Sequence, residues 1–188
     1  MAQDDMLSGS ALLIIDVIND FGFPGGDRLA TRLDPLMDAV EALRARYDAE
    51  RRPVIYVNDN LGRWRSNFDE VIAWCSREGA AGARVAARLK PRGSDYFVLK
   101  PAQSGFYQTP LEALLKHLEV SHLALAGLTA DQCVLTTAMD AHIREYPMWT
   151  PSDAVASITP ERKRRALEHM HEVLGVRISP VSDRGNGC

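Results

Sequence analysis

Cysteine is scarce in this chain of 188 residues, and its three copies, Cys75, Cys133 and Cys188, are odd in number, far apart and without a CxxC pair. That set excludes a disulfide framework and a cysteine-rich zinc site, and it suits a reducing compartment, so a cytoplasmic protein is expected. An excess of one charge is missing too. A formal charge of −3 and a pI near 5.9 leave no basic face for nucleic acid or an anionic membrane, so neither is expected as a partner. No apolar run approaches the ~20 residues of a spanning helix. The opening MAQDDMLSGS is acidic where a signal peptide would be apolar, so export by that route is not expected. Repeats, low-complexity blocks and linkers are absent, which reads as one domain over residues 1–188 with its core over about 11–181. The turn after the first apolar run, DVINDFGFPGG, has no GxGxxG, which removes the dinucleotide-binding fingerprint.

What is present is an alternation. ALLIIDVI (Ala11 to Ile18) is almost continuously apolar, as a parallel strand buried on both faces would be. A Gly/Pro loop follows, and Asp34-Pro35 then opens a helix with Leu36, Val40, Leu43 and Tyr47 on one face. VIYVND, DYFVLK, HLALAGL, YPMWT and VRISPV read as five more strands. DEVIAWCSREG and GARVAARL read as short helices, Thr109 and Glu112 as a capping box, and Thr159-Pro160 as the start of a charged helix to about Leu174. Strands alternating with helices predict an α/β fold, a three-layer sandwich whose six-stranded parallel sheet is flanked by helices in a Rossmann-like arrangement. Ligands in such folds sit at the carboxyl ends of the strands.

Three chemically able residues fall at that edge. Asp16 sets a carboxylate inside an apolar run, where it needs a cation or hydrogen-bond donors. Lys100 ends the third strand and is the candidate partner. Cys133 stands in GLTADQCV, in the first turn after the fourth strand, where a helix N-terminus and a nearby ammonium would favour the thiolate. Taken singly, each has a plain alternative: a packed cysteine, a capping aspartate, a solvated lysine. Their convergence on one edge points to a nucleophile with its base. A thiol-sensing or purely binding protein on the same scaffold is the other reading.

LLIIDVINDF (Leu12 to Phe21), FVLKPAQSGF (Phe97 to Phe106), LAGLTADQCVLTTAMDA (Leu125 to Ala141) and PSDAVAS (Pro151 to Ser157), in that order, resemble the isochorismatase-like cysteine hydrolases. This family includes nicotinamidases, N-carbamoyl amide, ureidoacrylate and biuret hydrolases, and isochorismatases. The resemblance implies Cys133 as nucleophile, Asp16 as general base and later acid, Lys100 as the positive group between them, and backbone N–H groups of Thr129 and Cys133 as the oxyanion hole. It also implies a cis peptide at Leu128–Thr129, a small-molecule substrate and a homo-oligomer, dimer or tetramer. Asn19, Phe21, Trp64 and Phe106 are the candidate pocket residues, Trp64 equally an interface residue, with Arg63 or Arg65 as a carboxylate clamp. Nicotinamidases of the family carry a metal on an Asp and histidines after strand two. Here Asp59 is followed by Asn60, and all five histidines lie elsewhere, so no metal and no cofactor is expected. The activity implied is cleavage of a small amide or ureide; isochorismatase-type vinyl-ether hydrolysis is the alternative.

Overall fold

The computed structural model describes residues 9–65 and 67–182; Cys188 and most of the polar tail, like most of the acidic opening, lie outside the described residues. Strand β1 (Ser10–Ile15) runs through the centre of the sheet and is buried along its whole length. Its alternate residues face two different cores. Leu12 and Ile14 join Val54, Tyr56, Ala124 and Ala126 on one side, while Ala11, Leu13 and Ile15 join Ile55, Val57, Leu123 and Leu125 on the other. This two-sided burial explains the unbroken apolar run.

The remaining elements are helix α1 (Gly26–Ala30), α2 (Asp34–Ala49), β2 (Val54–Asp59), α3 (Phe68–Cys75), α4 (Ala83–Leu89), β3 (Tyr96–Lys100), α5 (Leu111–His117) and β4 (His122–Leu128). A π-helical turn, Ala130–Val134, then leads directly into α6 (Leu135–Ile143), followed by β5 (Met148–Pro151), β6 (Val155–Ala156), α7 (Pro160–Leu174) and β7 (Arg177–Ser179). The strands are parallel in the order β3-β2-β1-β4-β5-β7, with β6 added against β4. The sheet therefore has seven strands where six are read from the sequence. The extra one is two residues long, too short to leave a pattern.

Local chemistry agrees with the sequence in part. Thr159 caps α7 by accepting from the Arg162 N–H at 3.2 Å. The capping box at Thr109 is not made, since α5 starts later, with Pro110 at its N-cap. The Thr109 hydroxyl oxygen accepts from the Leu111 N–H, but Glu112 turns to Lys116 and Arg144 instead of reaching back. A full cation is a stronger partner for its carboxylate than a neutral N–H. Asp34 lies inside α2 and pairs with Arg84, one residue away from the capping position that the sequence suggests.

Strand order reverses between β1 and β4, since the chain first builds outward through β2 and β3 and then returns to the other side of β1. Crevices form at such a switch point, outside the carboxyl ends of the strands. Registers carry the site residues to this edge: Ile15 lies beside Val57 and Gly127, and Asp59 beside Lys100.

Candidate active site

Asp16 is the first residue past β1. Its φ of +51 is uncommon outside glycine but tolerated by aspartate, and the turn swings its side chain along the sheet edge. Gly127 lets β4 approach this turn: a Cβ there would meet the Ile15 carbonyl oxygen at 2.0 Å. The Asp16 carboxylate is buried and accepts the Asp59 N–H at 2.6 Å through Oδ1. Its Oδ2 lies 2.9 Å from Lys100 Nζ.

Lys100 is fully buried. Besides Asp16, its ammonium donates to the Ala102 carbonyl at 3.1 Å and to Cys133 Sγ at 3.4 Å. Those three partners match its three N–H donors. Asp59 Oδ2 stands further off, at 3.7 Å. Cys133 belongs to the π-helical turn, in which the Val134 N–H reaches back to the Thr129 carbonyl at 3.3 Å. Turns of this kind recur at functional sites because they re-aim one side chain.

Protonation follows from burial. Desolvation lifts Asp16 above the usual carboxylate range despite the pull of Lys100, which strengthens it as a base. Burial alone would lower Lys100, but the Asp16 charge and then Cys133 outweigh it and hold the ammonium above its ordinary value. Burial also pushes the Cys133 thiol up to about 12, and the Asp16 charge adds to this rise more than Lys100 offsets it. The sequence reading expects a thiolate here. Burial first, and the facing Asp16 carboxylate next, favour the thiol instead.

A cavity of about 510 Å³ opens over these groups, lined by Asp16, Asn19, Asp20, Phe23, Asp59, Leu61, Leu128, Thr129, Gln132, Cys133, Ile158 and Arg162, among others. Of the four expected pocket side chains only Asn19 lines it. Phe21 is buried in the core beneath, and Phe23, two residues on, supplies the aromatic wall. Phe106 is buried on the other face of the sheet, under the Arg144 guanidinium at 4.7 Å. Trp64 is 78% exposed and does not reach the cavity. Arg63 lies 3.7 Å over the Trp74 ring, and the arginine that lines the cavity among the described residues is Arg162, which pairs with Asp131. Leu128–Thr129 is trans, as are all peptide bonds among the described residues. Thr129 is extended, at the start of the π-helical turn.

Residues after β2 do not fit a metal. Asn60 Oδ1 already accepts the Gly62 N–H, Asp59 Oδ1 the Leu61 N–H, and the second Asp59 oxygen faces the Lys100 ammonium. No group of three His, Cys, Asp or Glu among the described residues could hold an ion.

With this geometry in view, the comparison with known sequences is decisive: the model of the isochorismatase domain matches residues 10–179. The chain belongs to the isochorismatase family. It is a hydrolase of that family with amidohydrolase relatives. The isochorismatase family protein YaaI of Bacillus subtilis (strain 168) is 36% identical over 169 residues, 90% of this chain and 92% of YaaI. The crystal structure of N-carbamoylsarcosine amidase from Thermoplasma acidophilum superposes with a TM-score of 0.68 at 27% identity, covering 92% of this chain and 96% of that one. An isochorismatase family protein from Desulfovibrio vulgaris gives a TM-score of 0.75 at 24% identity, covering 93% and 95%. That likeness speaks to the fold. The isochorismatase-family sheet with helices on both faces is what these structures share with the chain, and no helix among its described residues is long and apolar enough to cross a membrane.

Proposed function

We propose that this chain is a metal-independent cysteine hydrolase that cleaves a small amide or ureide C–N bond through a thioester on Cys133. One observation carries the reading: a single buried ammonium lies 2.9 Å from a carboxylate and 3.4 Å from a thiol at the floor of a cavity sized for a small molecule.

The steps follow from the protonation states. Asp16, its basicity raised by burial, takes the Cys133 proton as the sulfur attacks the carbonyl carbon. The negative charge moves from carboxylate to sulfur while staying beside Lys100, so no net charge is created in the buried site. The carbonyl oxygen becomes an oxyanion, for which the backbone N–H groups of Thr129 and Cys133 are the proposed donors; both residues line the cavity. The tetrahedral species collapses, the C–N bond breaks, and Asp16 returns its proton to the leaving nitrogen. Water then attacks the thioester with Asp16 again as base. The carboxylic or carbamic acid leaves and the thiol is restored. A redox-sensing thiol needs no base, whereas here a carboxylate and the sulfur share one ammonium, so the catalytic reading is the better one.

The test is a panel of nicotinamide, ureidoacrylate-like, N-carbamoyl and biuret-type compounds, each with and without a chelator, with ammonia or amine release as the readout. Turnover of at least one member that survives chelation, with an acyl adduct on the Cys133 peptide after acid quench, is expected. Turnover abolished by chelator and restored by a divalent metal would refute the metal-independent mechanism.

A further inference from the structure

Lys100 and Cys133 come from different elements, yet their contact carries the mechanism. The chain leaving Lys100 folds back over its own ammonium, so that the Ala102 carbonyl accepts from Nζ at 3.1 Å. Residues 104–106 then press against α6, which continues from the turn holding Cys133. The Gly105 N–H donates to Thr137 Oγ1 at 3.0 Å, and the Ser104 hydroxyl donates to Asp140 while accepting the Phe106 N–H at 3.0 Å. Thr137 and Asp140 are four and seven residues beyond Cys133, on the same face of the helix. Arg144, one turn further, lies over the Phe106 ring at 4.7 Å and bonds the Asp140 carbonyl at 2.9 Å. Ser104 and Thr137 are buried, so the Gly105–Thr137 and Phe106–Ser104 bonds are shielded from water, while Asp140 and Arg144 are half-buried. Gly105 is required for the approach, since a Cβ there would meet Val57 Cγ1 at 2.8 Å and Thr137 Cγ2 at 3.4 Å.

We infer that residues 104–106 form a strap that sets the Lys100 ammonium on the Cys133 sulfur, with Thr137 and Ser104 as its positioning residues. This rests on the cysteine-hydrolase reading above but can fail separately. Neither residue lines the cavity. Their effect is on the field at the sulfur, transmitted through the strap. Phe106, with Arg144 over its ring, anchors the end of the strap.

The test compares alkylation of Cys133, followed on its own peptide, by neutral iodoacetamide and anionic iodoacetate. Thiolate fraction and access enter both rates and largely cancel in their ratio, which reports the local potential. Thr137→Val leaves the buried Gly105 N–H without its acceptor. The iodoacetate-to-iodoacetamide ratio is expected to fall about threefold or more as the ammonium withdraws, and Thr137→Ser to restore it. Ser104→Ala, which cuts the second tie, is expected to lower the ratio in the same direction and serves if Thr137→Val does not fold. Ratios unchanged from wild type in both folded variants, or a Thr137→Ser that behaves as Thr137→Val, would overturn the strap. Full amide turnover by Cys133→Ala would instead sink the reading beneath it.

Discussion

Replacing Asp16 with Asn should silence turnover while making the sulfur more reactive. In the wild type the thiol is held up at about 12, by burial first and by the Asp16 charge next. The Asp16 carboxylate and the Cys133 sulfur touch the same ammonium at 2.9 and 3.4 Å. They are therefore no more than about 6.3 Å apart. At an effective dielectric of about 20, two like charges at that distance repel by about 2.6 kcal/mol. This is close to two pKa units, or about a hundredfold in thiolate at a fixed pH below the thiol pKa. Asn keeps the shape, removes the charge and leaves Lys100 facing the sulfur. Iodoacetamide alkylation of Cys133 at pH 8 should therefore rise by about two orders of magnitude. Loss of the base should meanwhile cost turnover a factor of about 10²–10⁴. Peptide-resolved mass spectrometry separates Cys133 from the other two cysteines, and a thermal melt confirms folding. Alkylation that stays the same or slows in a folded variant would refute the charge coupling, and turnover within a few fold of wild type would refute the base.

Wild-type Cys133, with its pKa near 12, should alkylate about tenfold faster per pH unit from pH 7 to 10 without a plateau; a plateau below pH 9 would show a resting thiolate. Lys100→Met should abolish turnover and, by leaving Asp16 buried without its cation, destabilise the fold by about 3–5 kcal/mol in denaturant titration. A Lys100→Met protein as stable as wild type would contradict that. Arg44 and Asp95 form a second buried ion pair, at 3.0 Å, and Asp95 lies just before β3, at the strand ends opposite the cavity. Arg44→Met should cost about 3–5 kcal/mol in stability yet leave kcat/KM of the folded enzyme within twofold. Trp64→Ala should change stability by less than about 0.5 kcal/mol and leave turnover intact, because the ring stands in water.

Residues whose position depends on strand periodicity were the ones legible in the sequence. Asp16, Asp59 and Lys100 each stand at or just past a strand end, so the direction of a parallel strand alone carries them to one edge. Cys133 follows from the same logic one turn later. The side chains around them were not legible, because loops set them. In NDFGFPGG the sequence does not say which phenylalanine faces inward; Phe21 has φ +57, which turns it into the core and leaves Phe23 at the cavity. Arg162 is not legible because the two-residue β6 brings the start of α7 beside the β4 end, and two residues leave no periodicity to read. The protonation of Cys133 depends on packing in the same way. A helix start and an ammonium are visible in the sequence, but the desolvation that raises the thiol comes from packing of distant elements.

Amide turnover by the Cys133→Ala protein, measured beside wild type on whichever panel compound the wild type cleaves, tests the central claim most directly. Turnover at the uncatalysed background in a folded Cys133→Ala protein is the outcome that nucleophilic sulfur demands. Wild-type rates without that sulfur would contradict the account.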